Sequence, residues 1–312
     1  MRQICNNEHV CFMVQDMKSQ KIIYLVSGAI ISAAVISAMV WVVRNVQNAQ
    51  KSQTQKIQIV ASTNVWGDIA SQVGGERVEV TSILSDPSTD PHLFESDANT
   101  ASKIASAQLV IVNGLGYDEF MDKLLEAGAG NARVLTIADV MQAKPDDNPH
   151  LWYDLPNIPK VSEKIQNELI ALDPDHADVY RQNTTEFNKQ MQSLIAKVSP
   201  RNGGVAYTER VAEYLLDDLG LDNKTPKGFS QSVENGTEPT PQQMQEFEAV
   251  LKSGSVAVLI YNNQTVNDVT KQLESSAKSA GVKVVGVSET IPKGKNFQTW
   301  QLDQLNAILE AL

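Results

Sequence analysis

Runs of apolar residues alternate with amphipathic stretches along most of the chain after residue 55. In the first half, four strand-like runs lie at 56–62, 78–84, 109–113 and 134–137. In the second half, three more lie at 203–208, 256–261 and 282–288. Continuous runs rich in Val and Ile are typical of strands that are buried on both faces of a parallel sheet. The pattern therefore predicts an α/β protein with two lobes, each a parallel sheet flanked by helices.

Residues 157–199, between these halves, contain no strand-like run. Their apolar residues keep helical spacing, with one interruption at 172–177. We predict a helix from about residue 175 to residue 198, roughly 35 Å long at 1.5 Å per residue, which acts as a rigid strut. The chain is therefore expected to form a lobe at 56–156, a helical linker at 157–199 and a second lobe at 200–312.

Turn and capping residues set the expected ends of the helices in the second half. A helix over 209–219 is expected to end at Gly220. Thr240 is expected to cap another helix, which runs to Lys252. The stretch 230–241 contains a glycine and two prolines, and it is predicted to be a loop.

One long apolar run lies near the N-terminus. Residues 22–43 contain no charged side chain, and as a helix they would span roughly 30 Å, about the thickness of a bilayer core. Lys18 and Lys21 precede the run, so residues 1–21 are predicted to stay in the cytoplasm while the rest of the chain lies outside. The run is expected to be a membrane anchor or an export signal, and residues 44–55 a polar linker.

The composition is that of an ordinary globular protein, with 42% hydrophobic and 20% charged residues. The formal net charge of -11 argues against nucleic acid as a partner, because phosphates require a basic surface. Both cysteines, Cys5 and Cys11, precede the apolar run. The exported part is therefore expected to fold without disulfides.

Four potential metal ligands follow predicted strands. His92 follows the second strand in a stretch stiffened by two prolines, and His150 lies in a similar Pro-His-Leu setting after the fourth. Glu209 follows the strand at 203–208, and Glu289 follows the last strand. Because ligands bind beyond the carboxyl ends of parallel strands, we expect these four side chains to meet at one metal ion.

Two of the candidate residues have plainer interpretations. Glu209 could be an acidic residue in the first turn of a helix, where the helix dipole favours it. His176 lies at the start of the predicted strut, beside Asp173 and Asp175. Capping or packing is expected for His176, rather than metal binding.

The chain resembles the extracytoplasmic metal-binding proteins of manganese and zinc ABC importers, the cluster A-I group, over residues 56–312. The motifs that carry the resemblance are VASTNVWGD at 60–68, DPHLFE at 90–95, VNGLGY at 112–117, NPHLWYD at 148–154, LDP at 172–174 and SVENGTEP at 232–239. The resemblance implies two lobes joined by one long helix, with a metal ion bound between them. It also implies delivery of that ion to a membrane permease powered by a cytoplasmic ATPase.

The resemblance also implies a ligand set. Its first two ligands fall on His92 and His150, the third on Glu209 and the fourth on Glu289, where relatives usually have an aspartate. Two imidazoles and two carboxylates favour Mn²⁺ over Zn²⁺ as the transported ion, with iron third.

Two other classes of protein remain open from the sequence. In a secreted metallohydrolase, the two histidines and one glutamate would hold zinc while the other glutamate acts as a base. In a surface adhesin, no occupied metal site is needed. The solute-binding interpretation predicts a non-enzymatic monomer whose partners are a permease with its ATPase, and the membrane through the N-terminal segment.

Overall fold

The computed structural model describes residues 36–43, 56–86, 98–128, 130–234 and 236–312. The chain divides into two units, Met1–Gln55 and Lys56–Leu312. In the first unit, residues 36–43 form a helix, α1, while the rest of the predicted anchor and both segments beside it lie outside the described residues. Among the helices that the structure describes, none is both long enough and apolar enough to cross a membrane.

Four parallel strands form the first sheet of the second unit. They are β1 (Ile57–Thr63), β2 (Val78–Leu84), β3 (Leu109–Val112) and β4 (Arg133–Thr136), in the order β2-β1-β3-β4. The accompanying helices are α2 (Asn64–Gly74), α3 (Ala98–Ser106), α4 (Glu119–Gly128) and α5 (Ile137–Met141). In β3, Leu109 and Ile111 join the main core, whereas Val110 and Val112 pack into a smaller core with residues of α3 and α4. The strand is buried on both faces, as its continuous apolar run predicts.

The second sheet is also parallel and four-stranded. Its strands are β5 (Gly204–Tyr207), β6 (Asp222–Asn223), β7 (Val258–Asn262) and β8 (Lys283–Val287), in the order β6-β5-β7-β8. Its helices are α8 (Glu213–Asp218), α9 (Phe229–Glu234), α10 (Pro241–Lys252), α11 (Asp268–Ser279) and α12 (Phe297–Ala311). Because β7 lies between β5 and β8, residues that follow these three strands come together at one edge of the sheet.

Two helices connect the sheets, α6 (Ile158–Leu172) and α7 (Ala177–Ile195), with a 3-10 turn at Pro174–His176 between them. The long helix predicted at 175–198 is confirmed, but it has 19 residues and spans about 28 Å. Its predicted first residues belong to the 3-10 turn, where the backbone angles of His176 (φ -113°, ψ 21°) are not helical.

A polar network fixes this turn. The Asp173 carboxylate accepts hydrogen bonds from Tyr180 Oη at 2.7 Å and from Arg77 Nη2 at 3.1 Å. His176 Nδ1 lies 2.8 Å from Asp173 Oδ1, so this histidine is occupied in packing at the start of α7. The plainer interpretation of His176 is therefore confirmed.

Two predictions of local structure in the second half are wrong. The helix predicted at 209–219 begins only at Glu213, because tertiary hydrogen bonds hold Glu209 in a bend after β5. The stretch 230–241 is not all loop, since α9 occupies its first part. Burial of Phe229 against Phe247 of α10 stabilises this short helix. The predicted Thr240 cap of α10 is confirmed and forms a capping box with Gln243.

The main hydrophobic core draws on both sheets and on the connecting helices. It includes Ile59 of the first sheet, Ile260 of the second and Phe187 of α7, all almost fully buried. The C-terminal helix α12 completes this core against the first half: Phe297 contacts Phe187, and its backbone N–H donates to Asp68 Oδ2 at 2.9 Å.

Candidate metal site

His150 lies in a buried segment after α5 and is 1% exposed. The segment is held in place by Asn113, which follows β3 and donates from Nδ2 to the carbonyl oxygen of Pro149 at 3.0 Å. Asn113 is itself oriented by Trp66, whose Nε1 donates to its Oδ1 at 3.1 Å, and by Asp118, which accepts from its backbone N–H. The motif at 112–117 therefore positions the histidine.

Asn148 determines which ring nitrogen of His150 carries a proton. The Nδ2 group of Asn148 donates to the carbonyl oxygen of Arg210 at 2.6 Å and to Glu213 Oε2 at 3.0 Å. Its Oδ1 atom therefore faces the histidine and accepts from the His150 backbone N–H at 3.0 Å and from Nδ1 at 2.7 Å. With the proton on Nδ1, the neutral imidazole presents a lone pair at Nε2, the form that binds a metal ion.

Glu289 faces that lone pair. It follows β8, is fully buried, and places Oε2 at 3.3 Å from His150 Nε2. Two ligands of one tetrahedral ion, each about 2.1 Å from it, lie roughly 3.4 Å apart. Tyr153 of the first half donates to the carbonyl oxygen of Ser288 at 2.9 Å and so fixes the backbone before Glu289. Burial, and then the negative charge of Glu289, raise the pKa of Tyr153 well above its ordinary value, so the phenol keeps its proton.

Glu209 lies beside this pair and is 2% exposed. It is not in the first turn of a helix, so its alternative interpretation as a dipole-stabilising residue does not hold. Burial raises the pKa of its carboxyl group, and the charge of Glu289 raises it further. Hydrogen bonds from Asn262 and Thr265 act in the opposite direction.

Asn262, the last residue of β7, joins the two carboxylates. Its Nδ2 atom lies 2.9 Å from Glu209 Oε2 and 2.6 Å from Glu289 Oε1. No motif in the sequence marks this residue. Its only signal is its position directly after the predicted strand at 256–261, and the sequence does not reveal that β7 lies between β5 and β8.

The structure thus brings together His150, Glu209 and Glu289, and the fourth predicted ligand, His92, lies outside the described residues. Among the residues that the structure describes, no group of three or more His, Cys, Asp or Glu side chains is arranged to hold a metal ion. His92 follows β2 in the sequence, and its part in a metal site stays a prediction.

A cavity of about 580 Å³ opens beside His150. Its lining includes the exposed Asp146 and Asp147, and also Arg210 and Glu234. The guanidinium group of Arg210 is paired with Glu234, with Nη2 3.0 Å from Oε2. The free negative charge at this opening therefore comes from the two aspartates, which favours the approach of cations.

The chain is similar to a known family and to several of its members. The sequence model of a family described as zinc-uptake complex component A, periplasmic, matches residues 59–311. The manganese-binding lipoprotein MntA of Bacillus subtilis is 23% identical over 256 residues, which cover 77% of this chain and 82% of that protein. The iron-binding protein YfeA of Yersinia pestis is 20% identical over 274 residues, covering 85% and 87%.

Solved structures show the same fold. The substrate-binding protein FpvC of Pseudomonas aeruginosa, in complex with Mn²⁺, superposes with a TM-score of 0.69 at 20% identity, covering 82% of this chain and 98% of that one. The periplasmic zinc-binding protein TroA of Treponema pallidum has a TM-score of 0.66 at 17% identity, covering 82% and 97%.

Proposed function

We infer the function from the family to which this chain belongs, that of the periplasmic zinc-uptake complex component A. Its members are metal-binding solute-binding proteins of ABC importers, not enzymes, and this chain is such a protein, acting outside the cytoplasm. The metallohydrolase alternative fails on this ground. The adhesin alternative gains no support from the relatives named above.

We propose that the chain binds one divalent transition-metal ion through His92, His150, Glu209 and Glu289. The observation that carries this proposal is the 3.3 Å approach of His150 Nε2 to Glu289 Oε2, with Glu209 tied to Glu289 through Asn262. Two buried carboxylates would be costly without a cation, and a divalent ion balances both charges. The bound ion is cargo, which a membrane permease and its ATPase accept from a single copy of the chain.

Mn²⁺ is the proposed cargo, ahead of Zn²⁺. Carboxylate oxygens suit manganese and imidazole nitrogens suit zinc, and the proposed set contains two of each. The relatives bind different ions by name, manganese for MntA, iron for YfeA and zinc for TroA. Within this family the ligand set, rather than the fold, therefore has to select the ion.

Elemental analysis tests the identity of the cargo. The protein is purified from its native host without chelator or affinity metals, and the bound metals are measured by mass spectrometry. Manganese in near-stoichiometric amount is expected. Zinc alone would contradict the proposed preference but not metal binding, whereas a metal-free protein that also fails to bind either ion in titration would contradict the proposed function.

A competition titration between zinc and manganese tests the role of Glu209. The Glu209→His variant should shift the ratio of affinities towards zinc, because a nitrogen ligand replaces an oxygen ligand. Glu163→His is the matched control, since Glu163 is exposed on α6. An unchanged ratio in Glu209→His would place Glu209 outside the coordination sphere.

We also propose that residues 22–43 tether the protein to the cytoplasmic membrane. Protease added to intact protoplasts should then degrade the domain at 56–312. A domain that is cleaved only after lysis would contradict this topology.

A further inference from the structure

The segment Asn262–Thr265, which begins at the last residue of β7, contacts both buried carboxylates of the proposed site. Because β7 lies between β5 and β8, this segment sits between the residues that follow those strands. Asn262 pairs with Val287 in the sheet register, two residues before Glu289. The topology of the sheet therefore places this segment where it can form hydrogen bonds to both Glu209 and Glu289.

The orientation of the Asn262 amide follows from its hydrogen bonds. Its Oδ1 atom accepts from the Gln264 backbone N–H at 3.0 Å, so the Nδ2 group faces the carboxylates. Nδ2 has two hydrogens, one for Glu209 Oε2 at 2.9 Å and one for Glu289 Oε1 at 2.6 Å. Asn262 is 1% exposed, so water does not compete for these bonds.

Two further residues of the segment complete the support. The Thr265 hydroxyl donates to Glu209 Oε1. Gln264 Oε1 accepts from the backbone N–H of Glu289 at 2.6 Å and of Thr290 at 3.2 Å. The segment therefore positions Glu209 through hydrogen bonds to its carboxylate. It positions Glu289 through hydrogen bonds to both its carboxylate and its backbone N–H.

The Glu289 carboxylate divides its two oxygens between two tasks. Oε1 is held by Asn262, while Oε2 lies 3.3 Å from His150 Nε2. Because the amide bridge is neutral, both negative charges remain available to a divalent ion. A lysine at this position would compensate part of that charge. The amide bridge also fixes how far apart the two sets of oxygens lie, and ligand spacing is one way in which proteins select among divalent ions.

We propose that Asn262 is a positioning residue that sets the preference of the site for Mn²⁺ over Zn²⁺ by holding Glu209 and Glu289 as one preformed pair of oxygen ligands. This inference rests on the proposed function. It assigns the choice of metal to a residue that need not touch the ion.

The test compares metal affinities of the full chain, purified in mild detergent and stripped of metal, by calorimetric titration with MnCl₂ or ZnCl₂. Asn262→Ala should weaken manganese binding by about tenfold or more, the size of effect that loss of an outer-shell partner has. Zinc binding should weaken less, so the ratio of the two affinities should change. Asn167→Ala, an exchange at an exposed position of α6 outside this segment, should leave both affinities unchanged.

Asn262→Asp separates positioning from simple packing. It places a third carboxylate against the first two, so the metal-free protein should lose thermal stability, and added Mn²⁺ should restore more of it than the parent gains. A packing role alone would lower the melting temperatures of both forms equally. The electron paramagnetic resonance spectrum of bound Mn²⁺ should also change in Asn262→Ala, because its oxygen ligands move.

Thr265→Val covers the case in which the Asn262 variants do not fold. It removes one hydroxyl donor to Glu209 and keeps the side-chain shape, so manganese affinity should fall while zinc affinity changes less. Variants that fold and keep the parent's affinities and ratio would overturn the proposal. A parent that binds neither ion would instead overturn the proposed function on which the inference rests.

Discussion

The hydrogen bonds of Asn148 lead to a quantitative prediction for metal binding. In Asn148→Ala, the acceptor for His150 Nδ1–H, now at 2.7 Å, is lost. The imidazole can then place its proton on either nitrogen and rotate, so the lone pair at Nε2 is no longer enforced. Loss of the partner of a metal-binding histidine weakens metal affinity by about 10- to 100-fold, which corresponds to about 1.4–2.7 kcal/mol.

The same exchange also affects the fold, and a second variant separates the two effects. In Asn148→Ala, the buried His150 backbone N–H loses its acceptor, which costs about 1–3 kcal/mol of unfolding free energy. Asn148→Asp keeps an acceptor for the histidine. It replaces Nδ2, which in the parent lies 2.6 Å from the Arg210 carbonyl oxygen and 3.0 Å from Glu213 Oε2, by an oxygen that both of these oxygens repel. This variant should lose stability, while the folded fraction should keep a metal affinity close to that of the parent because the partner of the histidine is retained.

Three measurements check the prediction. Calorimetric titration gives the manganese and zinc affinities, and thermal denaturation gives the stability of the metal-free protein. Nitrogen-15 NMR of the imidazole reports which nitrogen carries the proton, and Asn167→Ala, at an exposed site on α6, serves as the control. If Asn148→Ala binds both ions like the parent and keeps its proton on Nδ1, Asn148 does not orient His150 and the argument is wrong.

Three further predictions follow from the site and from the turn between the connecting helices. Metal at a hundredfold excess over its dissociation constant should stabilise the folded protein by about 2.7 kcal/mol. In thermal denaturation, His92→Ala and His150→Ala should each remove most of this gain; an equal loss in His176→Ala would mean that the histidines are misassigned. Burial raises the pKa of Asp173, but hydrogen bonds from its three neighbours outweigh this effect, so the folded-state pKa lies below the unfolded value of about 3.9. The stability that Asp173 provides is therefore complete above that unfolded value and is lost as the pH falls through the folded-state pKa. In acid titrations of the metal-free protein, Asp173→Asn should lose less stability over this range than the parent does, and equal slopes would exclude Asp173 as a source. Finally, small-angle scattering with and without Mn²⁺ should show only a small change, because both sheets share one core; a large decrease in radius would contradict this.

The sequence predicted the strands more accurately than the connections between them. The strand Val78–Leu84 was predicted without error, and the other long strands within two residues, because continuous apolar runs bounded by turn residues leave few alternatives. Helix ends set by tertiary contacts were missed: Glu209 lies outside any helix, since Asn262 and Thr265 hold it. Such contacts join residues more than fifty positions apart and leave no local pattern.

The candidate site was predictable only in part for the same reason. Glu209 and Glu289 closely follow predicted strands, and His150 lies in a Pro-His-Leu motif; because these are local features, the three residues could be named from the sequence. The order of strands within a sheet is not local, and the role of Asn262 depends on β7 lying between β5 and β8. Likewise, the support of His150 by Asn113 joins two motifs that are 36 residues apart.

The contact between α12 and the first half has a consequence for the synthesis and export of the protein. The backbone N–H that Asp68 accepts belongs to Phe297, 229 residues later in the chain. Until α12 has emerged from the ribosome or crossed the membrane, the apolar surface on α7 that contacts Phe297 has no cover. Contacts of such long sequence separation also slow folding. The nascent chain therefore reaches its stable state late, only once its last helix is available.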